Sequence, residues 1–177
     1  FLTGDTAVAA TSSTIANGAT SASTTLSSAT AGETYAVRVN NGSSNLATRT
    51  GNGAVSFTSS LPSSGNTSTY EIFVRRPTST GGDGTTYTAT NDTFTVSMSS
   101  PAQDTTPNSF TLQNVTNAGL STVYQSVAQQ VTGITGTVTV TVSGDGNPQV
   151  RIGSGSWTSG PTTITNNYYI NARLTSS

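Results

Sequence analysis

The sequence predicts an all-β protein: two antiparallel β-sandwiches in tandem behind an extended N-terminal arm. Three observations carry this. Valine, isoleucine, phenylalanine and tyrosine recur in short runs that alternate with Thr and Ser, the period of a strand with one buried face. No segment keeps a helical period for more than about two turns. Charged residues are only 7% and hydrophobic residues 32%, against a typical quarter and nearly half. Ser and Thr fill the difference, at roughly a third of the chain. A disordered chain would need high net charge or few β-branched residues. The net charge here is -1, and the exposed strand faces carry hydroxyls where Lys and Glu are usual.

Composition also narrows the chemistry. The 177 residues hold no Cys and no His, and all six basic residues are Arg. No disulfide or thiolate metal site is expected. No apolar run approaches the 18 or so residues of a membrane span. The opening FLTGDTAVAATSS lacks the basic flank and apolar stretch of a signal peptide. Apart from Arg75-Arg76 the arginines are scattered, so no nucleic-acid footprint is expected.

The elements follow in order. Residues 1–20 are small and polar and read as an extended arm. Residues 21–100 read as the first sandwich. Ala22 to Leu26 is a weak strand. Glu33 to Val39 is a good one, with Tyr35, Val37 and Val39 on one face and Thr34, Ala36 and Arg38 on the other. Asn40 to Ser43 supplies turn chemistry. Ala54 to Phe57 is short. Thr69 to Arg76 is the strongest strand, with Tyr70, Ile72 and Val74 facing one way and Glu71, Phe73 and Arg75 the other. Pro77 to Gly84 is a loop. Tyr87 to Thr90 and Thr93 to Met98 close the set, with Phe94, Val96 and Met98 inward.

Residues 101–107, with two prolines and no apolar period, read as a linker. Residues 108–177 read as the second sandwich, with strands at Ser109 to Leu112, Ser121 to Tyr124 and Gln129 to Ile134. The stretch GTVTVTVSGDGNPQVRIGSGSW (Gly136 to Trp157) reads as a hairpin: Val138, Val140 and Val142 inward, a turn over Ser143 to Pro148, then Val150 and Ile152 inward with Arg151 outward. Tyr168 to Leu174 is the last strand, with Tyr168, Ile170 and Ala172 on one face and Tyr169 and Arg173 on the other. This succession of short strands and turns is near the immunoglobulin class.

The second module resembles an Ig-like repeat of bacteriophage virion proteins and of large bacterial surface proteins. The matching segments are SFTL (Ser109 to Leu112), GLSTVY (Gly119 to Tyr124), VTGI (Val131 to Ile134), QVRIGSGSWTS (Gln149 to Ser159) and NARLTSS (Asn171 to Ser177). Two departures stand out: Thr165-Asn166-Asn167 replaces an Asn-Gly-Asp turn, and the strands that usually follow Leu-Thr-Ser-Ser do not appear. Two expectations follow: either the sequence is a piece of a longer protein, or the sandwich carries an open edge, which a strand of another chain could complete. The arm at residues 1–20 is the candidate donor. The first module is Ig-like only in general terms.

Candidate chemistry is thin. The carboxylates Asp5, Glu33, Glu71, Asp83, Asp92, Asp104 and Asp145 are isolated from one another, so no catalytic residue is assigned and no enzyme activity is expected. Glu71 is expected to pair with Arg75 or Arg76. Gly82-Asp83-Gly84 and Gly144-Asp145-Gly146-Asn147 have one carboxylate each where calcium wants several, so they read as turns; no metal and no cofactor is assigned. Trp157 could stack on a sugar or pack on a sheet face, and the resemblance implies packing. Tyr169, Trp157, Arg75 and Arg76 are the candidate contact residues. Sequons at Asn41, Asn66, Asn91 and Asn114 are expected by chance in so Ser/Thr-rich a chain.

These readings lead to a non-enzymatic structural protein at a virion surface, a capsid decoration, head-fibre or tail-fibre component. Its expected partners are other virion proteins or copies of itself, with no nucleic acid and no membrane. The alternative is an extracellular or cell-surface adhesin, or a donor-strand filament subunit, with Ig-like spacers and a host-surface glycan as partner.

Overall fold

The computed structural model describes residues 8–176. The structure is all-β and of the sandwich type. The chain divides into two compact units, residues 1–101 and 102–177.

The first unit packs a three-stranded sheet against a five-stranded one. The small sheet has the order β1-β3-β6, formed by Ala9–Ala10, Ala22–Ser27 and Gly53–Phe57. The large sheet has the order β2-β8-β7-β4-β5, formed by Ser13–Ile15, Thr88–Met98, Thr67–Arg75, Thr34–Val39 and Ala47–Thr50. The chain passes between sheets from β3 to β4, from β5 to β6 and from β6 to β7, so the core is built from residues far apart in sequence. Ala22, Leu26, Val55 and Phe57 of the small sheet meet Tyr35, Val37, Tyr70, Ile72, Val74, Phe94 and Val96 of the large one. At its centre Tyr70 stacks on Phe94 with ring centroids 5.3 Å apart, and Phe57 tilts against Tyr70 at 4.9 Å. The buried Tyr70 hydroxyl reaches the Ser60 carbonyl at 2.7 Å, so it is desolvated but not orphaned. The alternation predicts these inward faces, and the structure places them there.

The expected arm is different. Residues 9–15 are not a free extension but an edge strand shared between the two sheets. Ala9 and Ala10 pair antiparallel with Ser27 and Leu26; Ser13 to Ile15 pair in parallel with Val96 to Met98. Thr11 and Ser12 make the crossing. The Thr11 carbonyl accepts from the buried Thr24 hydroxyl at 3.0 Å, and the Ser12 hydroxyl accepts from the Thr95 amide at 3.0 Å. Small polar residues hide such a strand from a hydrophobicity reading, because an edge strand needs ladder hydrogen bonds more than apolar side chains. Of the rest of the expected arm, Val8 is buried in the core, residues 16–19 turn the chain through an Ala19 amide to Ala16 carbonyl bond of 3.1 Å, and residues 1–7 lie outside the described residues. Tyr87 to Thr90 and Thr93 to Met98 are also one strand. Its register against β7 shifts between Glu71 and Phe73, which face Thr93 and Ala89, so Thr90 to Asp92 form a bulge. Asn91 takes φ 64° there, a conformation Asn tolerates.

In the second unit one sheet runs β10-β14-β12, with β9 also on β14; these are Gln129–Gln130, Tyr169–Thr175, Gln149–Ile152 and Val123–Gln125. The other layer is the pair β11 and β13, Val138–Val140 and Thr162–Ile164. Val131, Ile134, Val150, Ile164 and Ile170 form the core, with Val138, Val140, Val142 and Ile152 packed on it.

Four expectations for this unit are corrected. The stretch from Gly136 to Trp157 is not one hairpin, because Val138 pairs with Ile164 while Val150 pairs with Ala172. Both valine runs face the same core, from opposite layers. The turn between them crosses the sandwich and is anchored by the Thr175 amide on the Gly146 carbonyl at 2.7 Å. Gly146 has φ 77°, and a Cβ there would lie 2.1 Å from the Thr175 carbonyl oxygen, so a side chain does not fit. Ser109 to Leu112 forms no strand, and Gln129 to Ile134 shortens to two residues. Within residues 101–107 the Asp104 carbonyl accepts from the Thr135 amide at 2.9 Å, and just beyond them the Asn108 amide donates to the Thr132 carbonyl at 2.8 Å. Tyr168 precedes the last strand and is exposed, not inward.

Candidate interaction surfaces

The four candidate contact residues fall in three different settings. Arg76 turns back into its own unit, with Nε 2.9 Å from a Glu33 carboxylate oxygen. The ion pair expected at Glu71 is therefore made at Glu33, which is 6% exposed. The Tyr35 hydroxyl donates to the other Glu33 oxygen at 2.8 Å. Burial pushes the Tyr35 phenol above its ordinary value near 10.

Arg75 joins a ladder on the outer face of the large sheet. Its guanidinium lies 5.4 Å from the centre of the Tyr87 ring, and that of Arg38 lies 4.1 Å over Phe73 and 5.6 Å from Tyr87. Strand parity builds this ladder: Arg38 lies opposite Glu71 and Ala36 opposite Phe73, all on the face away from the core. Phe73 is shielded by the arginine stem and head instead of by core.

Trp157 and Tyr169 come to a common outer face in the second unit. Val150 and Thr158 exchange backbone hydrogen bonds of 2.8 and 2.9 Å, which folds Gly153 to Ser156 into a tight loop and sets Trp157 beside Arg151. The indole centre is 4.9 Å from the Arg151 guanidinium and 4.4 Å from that of Arg173. Tyr169 precedes Arg173 by four positions on the same strand, hence shares its face, and is half-exposed. Sequence reasoning placed Arg151 outward but missed its role. A signal existed: a Trp six positions after an outward Arg, separated by a Gly/Ser loop, is the spacing at which a hairpin returns it to that arginine.

A groove of about 290 Å³ lies in the second unit, lined by Pro107, Phe110, Val138, Thr139, Val140, Ile164 and others. Residues from both faces of β11 line it, the inward valines and the outward Thr139 and Thr141, so it follows the edge of that strand. β13 occupies one edge of β11; among the described residues the other has no strand partner. Phe110 stands over this groove at 39% exposure. The loop Pro77 to Gly84 carries Asp83, whose Oδ1 accepts from the Thr85 and Thr86 amides at 2.8 and 2.7 Å while Oδ2 meets the Thr86 hydroxyl. These bonds hold its carboxyl well below the usual carboxylate range. Among the described residues no three His, Cys, Asp or Glu side chains gather as a metal site, and no helix is long and apolar enough to cross a membrane.

No protein-family model matches the chain, and no curated protein matches it.

Proposed function

We propose that this chain is a non-enzymatic structural protein of a phage particle, a decoration or fibre component built from Ig-like sandwiches. The free edge of Val138–Val140 with its apolar groove is the observation that carries the reading. An edge strand offers a row of unpaired amides and carbonyls, and natural proteins usually blunt it with charge or proline. Here the outward residues are Thr139 and Thr141, and the groove beside them is apolar. A strand from a neighbouring protein would add ladder hydrogen bonds and fill that groove. Repetition over a particle multiplies such a contact. Residues 9–15 are not the donor in this reading, since they already serve their own unit.

A density map of the native assembly tests it. The expected result is a strand of a neighbour beside Val138–Val140. Phe110→Asp, which charges the groove without touching the buried core of the unit, should lower incorporation into particles. A solvent-facing edge in the assembly, or full incorporation of Phe110→Asp, would overturn the reading. The surface-adhesin reading is favoured by one separate observation, the arginine and tryptophan face.

A further inference from the structure

We infer that the outer face of the second unit binds a carboxylated sugar through Arg151 and Arg173, with Trp157 as the plate that holds both arginines. The site goes beyond the edge-strand reading and is independent of it, because it lies on the opposite face of the sheet from Ile170 and the groove.

The argument begins with charge. Two guanidiniums sit 4.9 and 4.4 Å from one indole centre. The unit's carboxylates are Asp104 and Asp145, and among the described residues neither pairs with either arginine. The indole quadrupole attracts each cation but cannot neutralise it. The two like charges therefore share a patch without a counter-ion. The donors are also incompletely used. Arg173 Nε donates to Gln149 Oε1 at 2.8 Å. Arg151 Nε is buried without an acceptor and out of a ligand's reach, so the terminal nitrogens of the two guanidiniums are the donors a ligand would meet. An ionised carboxylate has two oxygens, accepts from two guanidiniums at once and forms stronger bonds than a neutral acceptor.

The surroundings favour a sugar over a peptide. Gln149 shares the face of Arg151, two positions along the same strand, and Tyr169 shares that of Arg173. Ser154 and Ser156 of the Gly/Ser loop are exposed beside Trp157. Uncharged amides and hydroxyls next to a half-exposed aromatic ring suit the hydroxyls and apolar ring face of a saccharide. The stack also keeps the arginines ordered before the ligand arrives, which lowers the entropic cost of binding.

Trp157 is the one tryptophan of the chain, so its fluorescence reports this site alone. The full chain is titrated with sialyllactose, with lactose as its neutral counterpart, and with an Asp/Glu-rich peptide. Sialyllactose should give a saturable change in Trp157 emission that weakens with added salt, while lactose gives none. Arg151→Gln and Arg173→Gln should each weaken binding about tenfold, equivalent to about 1.4 kcal/mol. Thermal unfolding of the variants checks their fold. Should one fail to fold, the Nε–H signals of Arg151 and Arg173 in the unaltered protein must shift on titration by NMR. No saturable response, an equal response to lactose, a response to the peptide alone, or unmoved arginine signals would overturn the assignment.

Discussion

Glu33 and Arg76, 43 positions apart, form an ion pair of 2.9 Å in which the carboxylate is buried and the guanidinium about one-third exposed. The pair closes one end of the large sheet, where Thr34 lies opposite Arg75. Glu33→Ala removes one acceptor of Arg76 and the acceptor of the buried Tyr35 hydroxyl. A buried hydrogen bond to a charged group contributes about 1.5–3 kcal/mol, so the first unit should lose about 2–3 kcal/mol. Chemical denaturation measures it; a loss below about 0.5 kcal/mol would mean that the pair is only superficial.

Tyr70 has two separable roles, a ring in the aromatic core and a hydroxyl on the Ser60 carbonyl. Tyr70→Phe keeps the ring and should cost about 1 kcal/mol. Tyr70→Ala opens a cavity beside Phe57 and Phe94 and should cost about 3–5 kcal/mol. Equal losses for the two would contradict this division.

Alkaline pH acts through the same phenols. Burial raises both Tyr35 and Tyr70 above their ordinary value near 10. The unfolded chain then gives up these protons at lower pH than the folded one. Their contribution is full below about pH 10 and is lost as pH rises through the folded values. The melting temperature of the first unit should fall above pH 10, and less so in a Tyr70→Phe variant.

Asp83 shows the opposite sign. Its folded carboxyl is held below the ordinary range by the Thr86 hydroxyl and the Thr85 and Thr86 amides. The order it gives the loop is present above the unfolded value and is lost as pH falls through the folded one. The Thr85 and Thr86 amide resonances should therefore hold their positions through pH 4 and move only below the usual carboxylate range. Movement near pH 4 would show that the bonds do not persist in solution.

The pairing of Val138 with Ile164 can be trapped chemically because the chain has no Cys. Thr139 and Thr163 are register partners on the exposed face. Antiparallel partners have Cα atoms roughly 4.5–5.5 Å apart, within disulfide range. Thr139→Cys with Thr163→Cys should oxidise readily. Thr139→Cys with Arg151→Cys, neighbours in a hairpin, should not.

The candidate contact face was half legible in the chain. Trp157, Tyr169 and Arg173 stand out as the residues of a low-charge sequence that can make strong directional contacts. Their meeting with Arg151 depends on β12 and β14 lying side by side, a non-local pairing that no local pattern states. Arg76 shows the reverse. Its neighbour Arg75 does face outward, whereas Arg76 finds Glu33 on a strand that only the sheet order brings near.

Local residue order already settles which side of each strand faces inward. The parity of Tyr35 and Val37, of Tyr70, Ile72 and Val74, and of Val138 and Val140 follows from a two-residue period that sterics impose on any extended chain. Which strand lies beside which is settled only by the folded arrangement. Two valine runs that face one core can be neighbours in a sheet or members of opposite layers, and the alternation is the same in both. The strand at Ala9 to Ile15 was invisible for the same reason: backbone ladders hold it, and every residue type but proline offers those same groups.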